Sequence, residues 1–511
     1  MAHPEWLNIA ELFLTRRLAE GRGDRVALRL VDRQLTYAEL DRLAGRFGNL
    51  LRDLGVRQEE RVILSLPDSA EYAAALFGIL KIGAVAVMVN PGLPVDGLAA
   101  MVELARARVA VVAPGAAPGS PGPPVRHAVV VGDGAAPHLD CRDGLEPART
   151  HRDDPAIWLF SGGTTGRPKA AVQTHGSFAN TTELYGQRAM GWNETDITLS
   201  VPKLYFGYAT GANLFFPLSV GGSAALFAEH PTAEVLFEQI ARHRPTILIN
   251  TPKMVAAMID RVRSAGGSGA DLSSVRFATS AGEALPPSLY ARWKETFGVE
   301  LYDGLGTAEM WHVFVSNQPG AVLPGSLGRV VPGFELAVRD ADGRDVADGE
   351  VGRLWVRGDS LALGYWQDVP QSQEAFRGPW FAGSDLVRRD SDGFVHYVGR
   401  GDDALKVGGK WLLPAEVEDC LLAHEAVTEA AVVGVPDGAG LTRPVAFVVP
   451  AAAPMGGPPP DDLASDLQQH CLARLDAYKH PRKVFVVADF PRTHLGKVDR
   501  GALRRLADGQ V

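Results

Sequence analysis

The sequence predicts a multidomain α/β fold, and three observations indicate it. The chain of 511 residues is too long for one hydrophobic core, and about one domain per 150 residues gives two to four folding units. Hydrophobic residues make up 46% of the chain and charged residues 22%, which is typical of globular proteins. Short apolar strands alternate with amphipathic helices through the first half of the chain, which favours parallel, doubly wound sheets with helices on both faces.

The alternation begins near residue 62. Residues 62–66 have strand composition, residues 70–80 repeat apolar side chains at helical spacing, and residues 84–89 form a second apolar run. This pattern is typical of a β-α-β unit. Further strands are predicted at 156–160, 224–227 and 247–249, and further helices at 177–186 and 233–243.

The pattern changes after about residue 320, where it favours antiparallel hairpins. Residues 335–339 and 352–357 read as strands, and the Asp-Ala-Asp-Gly sequence at 340–343 reads as a turn between them. Two stretches rich in Pro and Gly, at 113–124 and 449–460, are predicted to be surface loops.

A domain boundary is predicted at Gly399-Arg-Gly-Asp-Asp403, which is followed by a short α+β pattern to the end of the chain. The predicted domains are therefore 1–399 and 400–511.

Charge and cysteine content narrow the class of function. There are 51 Lys and Arg residues against 60 Asp and Glu residues, and the net charge of -9 opposes binding to nucleic acid or anionic membranes. Cys141, Cys420 and Cys471 show neither a disulfide framework nor zinc-binding spacing. No signal peptide and no apolar run of 18 residues is found. We expect a cytoplasmic protein with small-molecule partners.

A glycine-rich loop, Ser161-Gly-Gly-Thr-Thr-Gly-Arg-Pro-Lys169, directly follows the predicted strand 156–160. It should therefore lie at the carboxyl end of a strand, where such sheets bind ligands. Glycines let backbone N–H groups approach an anion, and Arg167 and Lys169 add positive charge, so the loop suits a polyphosphate. Pro168 breaks the P-loop spacing, and no Ser or Thr follows the lysine. For the loop taken alone, a flexible surface turn is the alternative.

The loop resembles the signature of the adenylate-forming superfamily, which includes acyl-CoA and aryl-CoA ligases, luciferases and peptide-synthetase adenylation domains. The resemblance covers nearly the whole chain, because other motifs of the superfamily follow in order at 280–286, 302–310, 383–385, 399–403 and 491–500. It implies a large N-terminal domain of two doubly wound sheets plus a distorted antiparallel β-barrel, and a small, mobile α+β C-terminal domain.

The resemblance also implies the roles of individual residues. ATP or AMP contacts are implied for Ser161, Gly163, Thr164, Thr165, Gly166, Lys169, Gly282, Glu283, Ala284, Tyr302, Asp303, Gly304, Thr307, Asp385 and Arg400. Glu309 is expected to bind Mg²⁺ that bridges the ATP phosphates, and Lys497 is expected to be the catalytic lysine. Asp402 falls at the hinge position of the superfamily. Two positions depart from the usual pattern, because Gly162 replaces a serine and Ala308 a threonine.

Within the superfamily the chain is most similar to benzoate-type aryl-CoA ligases, through residues 203–208, 215–221 and 309–317. The pocket for a flat aromatic acid is expected to be lined by Phe206, Gly207, Tyr208, Ala281, Gly306, Trp311, His312 and Val313. Gly207, where relatives carry alanine, should enlarge this pocket, and Trp311 should fill it. Tyr208 and His312 are candidates to hydrogen-bond a ring hydroxyl or amino group, so the expected substrates are benzoate and its hydroxy or amino derivatives.

Coenzyme A is the expected acceptor of the acyl group, because Lys406, Gly408 and Gly409 match the region that faces the pantetheine arm in CoA ligases. A carrier-protein thiol, or another nucleophile such as nitrite in aromatic diazotisation, is the alternative acceptor. Two other classes stay open: a catalytically silent adenylate-binding protein and an oxidoreductase of the luciferase kind. A monomer or a homodimer is expected.

Overall fold

A computed structural model describes residues 3–115, 125–132, 142–161, 168–266, 271–407, 410–438, 440–451, 462–492 and 498–508. The chain divides into two compact units. Unit 1 comprises Met1–Leu336 and Val356–Phe381, and unit 2 comprises Ala337–Trp355 and Ala382–Val511. The functional domains 1–399 and 400–511 stay a prediction.

Most of unit 1 alternates strands with helices, as expected. Its strands up to residue 330 are β1 Val26–Arg29, β2 Gln34–Thr36, β3 Arg61–Ser65, β4 Val85–Met88, β5 Val109–Val112, β6 His127–Val130, β7 Pro155–Ser161, β8 Lys169–Thr174, β9 Ile197–Ser200, β10 Ser223–Ala225, β11 Ile247–Asn250, β12 Phe277–Ala281, β13 Glu300–Gly306, β14 Val313–Ser316 and β15 Arg329–Val330. The helices are α1 Arg16–Ala19, α2 Tyr37–Asp53, α3 Ala70–Lys81, α4 Val95–Ala105, α5 His175–Thr181, α6 Gly207–Thr210, α7 Phe216–Val220, α8 Ala233–His243, α9 Pro252–Ser264 and α10 Pro287–Phe297.

The first sheet has six strands in the order β6-β5-β3-β4-β7-β8. Strands β3 to β7 pair in parallel, but β8 is antiparallel to β7, with Ser161 opposite Lys169. Strand β8 and its antiparallel pairing with β7 were not predicted from the sequence. The short connection between β7 and β8 explains the antiparallel pairing, because a parallel neighbour needs a crossover of about a dozen residues or more.

The second sheet has nine strands in the order β15-β14-β13-β12-β11-β9-β10-β1-β2. Its centre, from β13 to β1, is parallel, whereas β2, β14 and β15 run antiparallel to their neighbours. Strands β12 and β13 lie side by side with Ala281 opposite Gly304, so their carboxyl ends reach the same edge.

Local sequence explains where the covering helices begin. The Thr232 side chain accepts a hydrogen bond from the Val235 amide at the start of α8, and Ser69 caps α3 in the same way. Both helices lie where they were predicted. The helix predicted at 177–186 instead consists of α5 followed by a π-helical segment, Thr182–Ala189.

Antiparallel strands follow residue 334. They are β16 Glu335–Arg339, β17 Val351–Arg357, β18 Phe376–Arg377, β19 Trp380–Arg389 and β20 Val395–Arg400, and helix α11 spans Val369–Ala375. The five strands form one curled sheet, a half-barrel, in which β19 is antiparallel to both β18 and β20. Burial alternates along β17, as expected for a strand with one face packed on a core.

The end of the chain has the predicted α+β pattern. Its elements are β21 Leu405–Val407, β22 Lys410–Leu412, α12 Pro414–Leu422, β23 Val427–Pro436, β24 Thr442–Pro450, α13 Leu463–Leu472, β25 Lys483–Val486 and α14 Arg500–Ala507. Strand β24 pairs antiparallel with β23 and parallel with β25. Residues 449 and 450, predicted to lie in a loop, belong to β24, because Val449 continues the ladder opposite Glu429. None of the helices in the described ranges is long and apolar enough to span a membrane.

Candidate functional site

The carboxyl ends of β12 and β13 carry six of the predicted nucleotide contacts. Gly282, Glu283 and Ala284 form an exposed loop after β12, and Gly282 has a φ of 98°, which favours glycine. On β13, Tyr302 and Asp303 are buried, as is Gly304, the third contact on this strand. Ligands bind at this edge of doubly wound sheets.

Asp303 has an unusual environment for a carboxyl group. Burial raises the pKa of Asp303 to about 8, outweighing the lowering effect of the backbone amides of Gly304 and Leu285. Within the described residues its Oδ1 has no hydrogen-bond partner. The side chain is therefore mainly protonated at pH 7 and offers a donor and an acceptor.

Glu309 lies in a turn just beyond β13. The turn spans Ala308–Met310 and is capped by the Thr307 side chain, which accepts a hydrogen bond from the Met310 amide at 3.3 Å. The Glu309 side chain is buried, and its Oε1 accepts a hydrogen bond from the Tyr365 hydroxyl at 2.7 Å. No lysine or arginine in the described residues forms an ion pair with it.

Ala308, one of the two departures from the superfamily pattern, packs against Ala171, Ala362 and Tyr365. Its carbonyl oxygen accepts a hydrogen bond from Gln173 Nε2 at 2.7 Å. Gln173 lies on β8, so the turn that carries Glu309 is attached to the strand that follows the phosphate loop.

Trp311 adopts a backbone conformation that is rare for a bulky residue. It has φ 63° and ψ -52°, and the His312 amide donates to the Met310 carbonyl at 2.9 Å, which makes a γ-turn of the positive-φ type. Such strain costs about 1–3 kcal/mol and clusters at functional sites. The indole packs edge-on against Phe178, with ring centroids 4.4 Å apart.

The predicted phosphate loop is described only at its two ends. Gly162, Gly163, Thr164, Thr165 and Gly166 lie outside the described residues. Ser161 and Lys169, which flank them, face each other across β7 and β8.

The Lys169 ammonium group donates to Gln371 Oε1 at 2.5 Å and lies 5.4 Å from the centre of the Tyr365 ring. The same tyrosine therefore contacts Lys169, the lysine of the predicted phosphate loop, and, through its hydroxyl, Glu309.

Tyr208 and His312 form the polar part of the predicted acid pocket. The Tyr208 hydroxyl is 2.7 Å from Thr279 Oγ1, and burial raises its pKa well above the usual value. His312 Nε2 is 3.0 Å from the Tyr208 carbonyl oxygen, and burial lowers its pKa to about 3. The imidazole is therefore neutral and carries its proton on Nε2, because a carbonyl oxygen only accepts. Its Nδ1 is then an acceptor without a partner in the described residues.

The small residues of the predicted pocket lie close to backbone. A Cβ atom at Gly207 would meet Leu159 Cδ1 at 3.0 Å, so Leu159 occupies much of the space that a missing methyl group frees. A Cβ atom at Gly306 would overlap the carbonyl oxygen of His312. Gly306 pairs with Val313 across β13 and β14. Ala281, at the end of β12, is also buried, and Phe206 precedes α6.

Other residues around the site were not identified from the sequence. Lys203 donates to the Phe227 carbonyl oxygen at 2.7 Å, and burial lowers its pKa to about 8. Asp68 accepts from the Leu204 amide at 2.8 Å, and burial raises its pKa to about 6. Both side chains are therefore mainly charged at pH 7. Their hydrogen bonds fix the start of the segment 203–208.

The predicted ribose-binding residues lie in unit 2. Asp385 on β19 is directly opposite Arg400 on β20, and the Arg400 guanidinium donates to Ser384 Oγ at 2.6 Å. The structure thus brings the two predicted ribose contacts together. Residues 401–403 form a single helical turn, which contains the predicted hinge residue Asp402.

The predicted catalytic lysine, Lys497, and the CoA-facing Gly408 and Gly409 lie outside the described residues. Lys406 is exposed on β21. Arg492 and Val498, on either side of residues 493–497, form an antiparallel bridge. Arg492 also forms an ion pair with Glu429 of β23 at 2.7 Å.

A cavity of about 590 Å³ lies at the opposite edge of the second sheet. Its lining includes Leu272 and Val275, which precede β12, and Gly298 and Val299, which precede β13. Because sheets of this kind bind ligands at their carboxyl ends, the edge that carries Glu309, rather than this cavity, is the candidate site.

The Glu309 carboxylate fits a cation. A buried carboxylate without a positive partner is costly, so a bound cation would stabilise it. Within the described ranges, no group of three or more His, Cys, Asp or Glu residues is arranged to hold a metal ion. Mg²⁺ fits such a site, because it commonly binds one or two carboxylates together with phosphate oxygens of a substrate.

Comparison with known proteins agrees with the sequence motifs. The AMP-binding enzyme family matches residues 15–366, and the AMP-binding enzyme C-terminal domain matches residues 416–497. The chain is 36% identical to a 4-hydroxybenzoate–CoA/benzoate–CoA ligase of Rhodopseudomonas palustris, over 99% of this chain and 95% of that protein. It is 37% identical to a benzoate–CoA ligase of Thauera aromatica, over 98% and 96% of the two chains.

A solved structure shares the fold. The crystal structure of an anthranilate CoA ligase in complex with anthranoyl-AMP is 37% identical, with a TM-score of 0.91 over 99% of this chain and 98% of that one. The resemblance to benzoate-type aryl-CoA ligases is confirmed, and the chain belongs to the family of AMP-binding enzymes.

Proposed function

We propose that this protein is an ATP-dependent, AMP-forming ligase that activates an aromatic carboxylic acid as its acyl-adenylate and transfers the acyl group to coenzyme A. The observation that carries the proposal is the similarity to aryl-CoA ligases at 36–37% identity over almost the entire chain. The substrates proposed are benzoate and its hydroxy or amino derivatives. These are the kinds of acid that the names of the relatives contain.

Nucleotide binding is assigned to the carboxyl edge of the second sheet. The loop 282–284 and residues 302–304 would contact the adenine, and the phosphate loop would contact the phosphates through backbone N–H groups. Asp385 and Arg400, which lie opposite each other, would bind the ribose hydroxyls.

Glu309 would hold the Mg²⁺ that accompanies ATP. When bound, this ion would neutralise negative charge on the leaving pyrophosphate. Lys497 would supply a second positive charge to the acid carboxylate and the α-phosphate, and so stabilise the adenylation transition state. The acid carboxylate and the α-phosphate are both negatively charged, and their repulsion opposes the reaction unless cations screen it.

The acid would lie against Tyr208 and His312. The neutral His312 ring offers an acceptor at Nδ1, which suits a ring N–H or O–H donor. In the second half-reaction the CoA thiolate attacks the acyl carbonyl carbon, the bond to the phosphate oxygen breaks, and AMP leaves. Residues 406–409 would then face the pantetheine arm.

The experiment is mass spectrometry of products from purified protein, ATP, Mg²⁺, a library of aryl acids, and either CoA or no acceptor. Aryl-CoA and AMP are expected with CoA, and a bound aryl-adenylate without it. Adenylate formation without thioester formation would favour a carrier-protein thiol or another nucleophile as acceptor. ATP binding without pyrophosphate release would favour a silent adenylate-binding protein, and O₂ consumption an oxidoreductase of the luciferase kind.

A further inference from the structure

Tyr365 is the side-chain donor that the described residues supply to Glu309. Its hydroxyl lies 2.7 Å from Glu309 Oε1, and both side chains are buried. The bond is charge-assisted, and such bonds are about twice as strong as neutral ones. The Glu309 Oε2 atom has no hydrogen bond or ion pair within the described residues.

The backbone around Tyr365 is held by the strand that follows the phosphate loop. The Leu363 amide donates to the Val172 carbonyl, the Val172 amide to the Gly364 carbonyl, and the Trp366 amide to the Ala170 carbonyl, at 2.9, 3.0 and 2.9 Å. Residues 363–366 therefore extend the ladder of β8. This fixes the backbone from which the Tyr365 ring projects.

The ring of Tyr365 is fixed on its apolar side as well. It packs edge-on against Phe376, with centroids 5.3 Å apart, and against Ala171 and Ala362. Since the Lys169 ammonium group lies over the same ring, one side chain connects the phosphate-loop lysine to the carboxylate expected to bind Mg²⁺.

We propose that Tyr365 is a positioning residue for the metal ligand. Its hydroxyl occupies Glu309 Oε1 and so leaves Oε2 to bind Mg²⁺ of Mg·ATP through a single oxygen. The inference rests on the proposed function, because it takes Glu309 to be the metal ligand. Groups that hydrogen-bond a metal ligand fix its orientation, and their removal costs about 10–100-fold in metal affinity.

The test compares Y365F with Y290F. Tyr290 also donates to a carboxylate, that of Glu300, at 2.7 Å, but at the other end of β13. We expect Y365F to raise the Mg²⁺ concentration for half-maximal ATP–pyrophosphate exchange by about tenfold and to leave the KM for the aryl acid unchanged. Y290F should leave both unchanged. Equal Mg²⁺ dependence in the two variants would overturn the proposal.

A binding measurement separates this proposal from the proposed function. Calorimetry of ATP binding, with Mg²⁺ and with a chelator, needs no aryl acid. Y365F should weaken ATP binding only in the presence of Mg²⁺. If the wild type activates no aryl acid, the proposed function fails while this measurement still decides the role of Tyr365. Weakening that is equal in the chelator would show a structural role and contradict the proposal.

A structure of the wild-type protein with ATP and Mg²⁺ provides a test that does not depend on a variant folding. The Tyr365 hydroxyl should stay within hydrogen-bond distance of Glu309 Oε1, and Mg²⁺ should contact Oε2. A Tyr365 hydroxyl that has left Glu309, or a carboxylate that binds the metal through both oxygens, would overturn the proposal.

Discussion

A tyrosine–glutamate pair lies near each end of β13, and the two pairs have different electrostatic surroundings. At the amino end, Glu300 accepts from the Tyr290 hydroxyl at 2.7 Å and from Lys294 at 3.1 Å. Burial acts to raise the pKa of Glu300, but these hydrogen bonds hold it below the usual value. At the carboxyl end, Glu309 accepts from Tyr365 at 2.7 Å, and no described cation completes the pair.

The difference shows how a structural pair and a candidate metal site are distinguished. A tyrosine–glutamate hydrogen bond is compatible with both roles. The lysine at Glu300 neutralises the charge within the protein, whereas Glu309 is left with a charge that a bound cation would neutralise. The position of Glu309 agrees with a role in ligand binding, since ligands bind at the carboxyl ends of the strands in such sheets.

Substitution of each glutamate by glutamine should give the largest difference between the two ends of β13. We expect Glu309→Gln to lower the rate of aryl-acid-dependent pyrophosphate release on the order of 100-fold, because it removes a charge needed only when the metal and phosphates are present. Glu300→Gln should change that rate less than about twofold. Similar losses in both variants, measured at saturating ATP, would remove the distinction between the two ends.

Glycine-to-alanine substitutions near the two ends of β13 should differ in how much they destabilise the protein. A Cβ atom at Gly306 would overlap backbone, so Gly306→Ala should destabilise unit 1 by more than about 2 kcal/mol. Gly298, just before β13, has a φ of 69° and open space, so Gly298→Ala should cost only about 1 kcal/mol. Thermal unfolding measures both, and a larger loss for Gly298→Ala would contradict the packing described for Gly306.

A smaller effect on stability is expected from His175, a buried histidine outside the site, when the pH is lowered. Burial lowers the pKa of His175 to about 3, and its Nδ1 accepts from the Ile9 amide at 3.2 Å. Because the unfolded chain gains a proton below about pH 6.5 and the folded chain does not, stability is lost as pH falls from about 6.5 towards 3. The loss reaches about 2 kcal/mol at pH 5.

His175→Asn should remove this part of the pH dependence while keeping an acceptor for the Ile9 amide. The exposed His230→Asn is the matched control. The difference between the unfolding temperatures at pH 7.5 and pH 5 should be smaller for His175→Asn than for the wild type. For His230→Asn this difference should equal that of the wild type. An unchanged pH dependence in His175→Asn would contradict the burial argument.

Sequence reasoning was accurate where one short pattern determines the outcome. The helices predicted at 70–80 and 233–243 and the strand predicted at 352–357 are present as α3, α8 and β17. Strand β8 and its antiparallel pairing with β7 were not predicted, because the direction in which two strands pair depends on the rest of the sheet and has no local signal in the sequence. The π-helical segment Thr182–Ala189 also has no local signal.

The candidate site shows the same limit. Motifs predicted Glu309, but its partner Tyr365 lies 56 residues further along the chain, and no local pattern links the two. The same holds for Lys169 and Gln371, which are 202 residues apart. The γ-turn at Trp311 was also missed, since its positive φ is not expected of tryptophan.

The proposed aryl-CoA ligase activity is tested most directly by identifying the products formed from ATP, Mg²⁺, CoA and individual acids. We expect AMP, pyrophosphate and the CoA thioester of benzoate or of a hydroxy- or aminobenzoate, with none of these products when the acid is omitted. A clear preference for long-chain fatty acids, or no AMP with any aryl acid despite ATP binding, would contradict it.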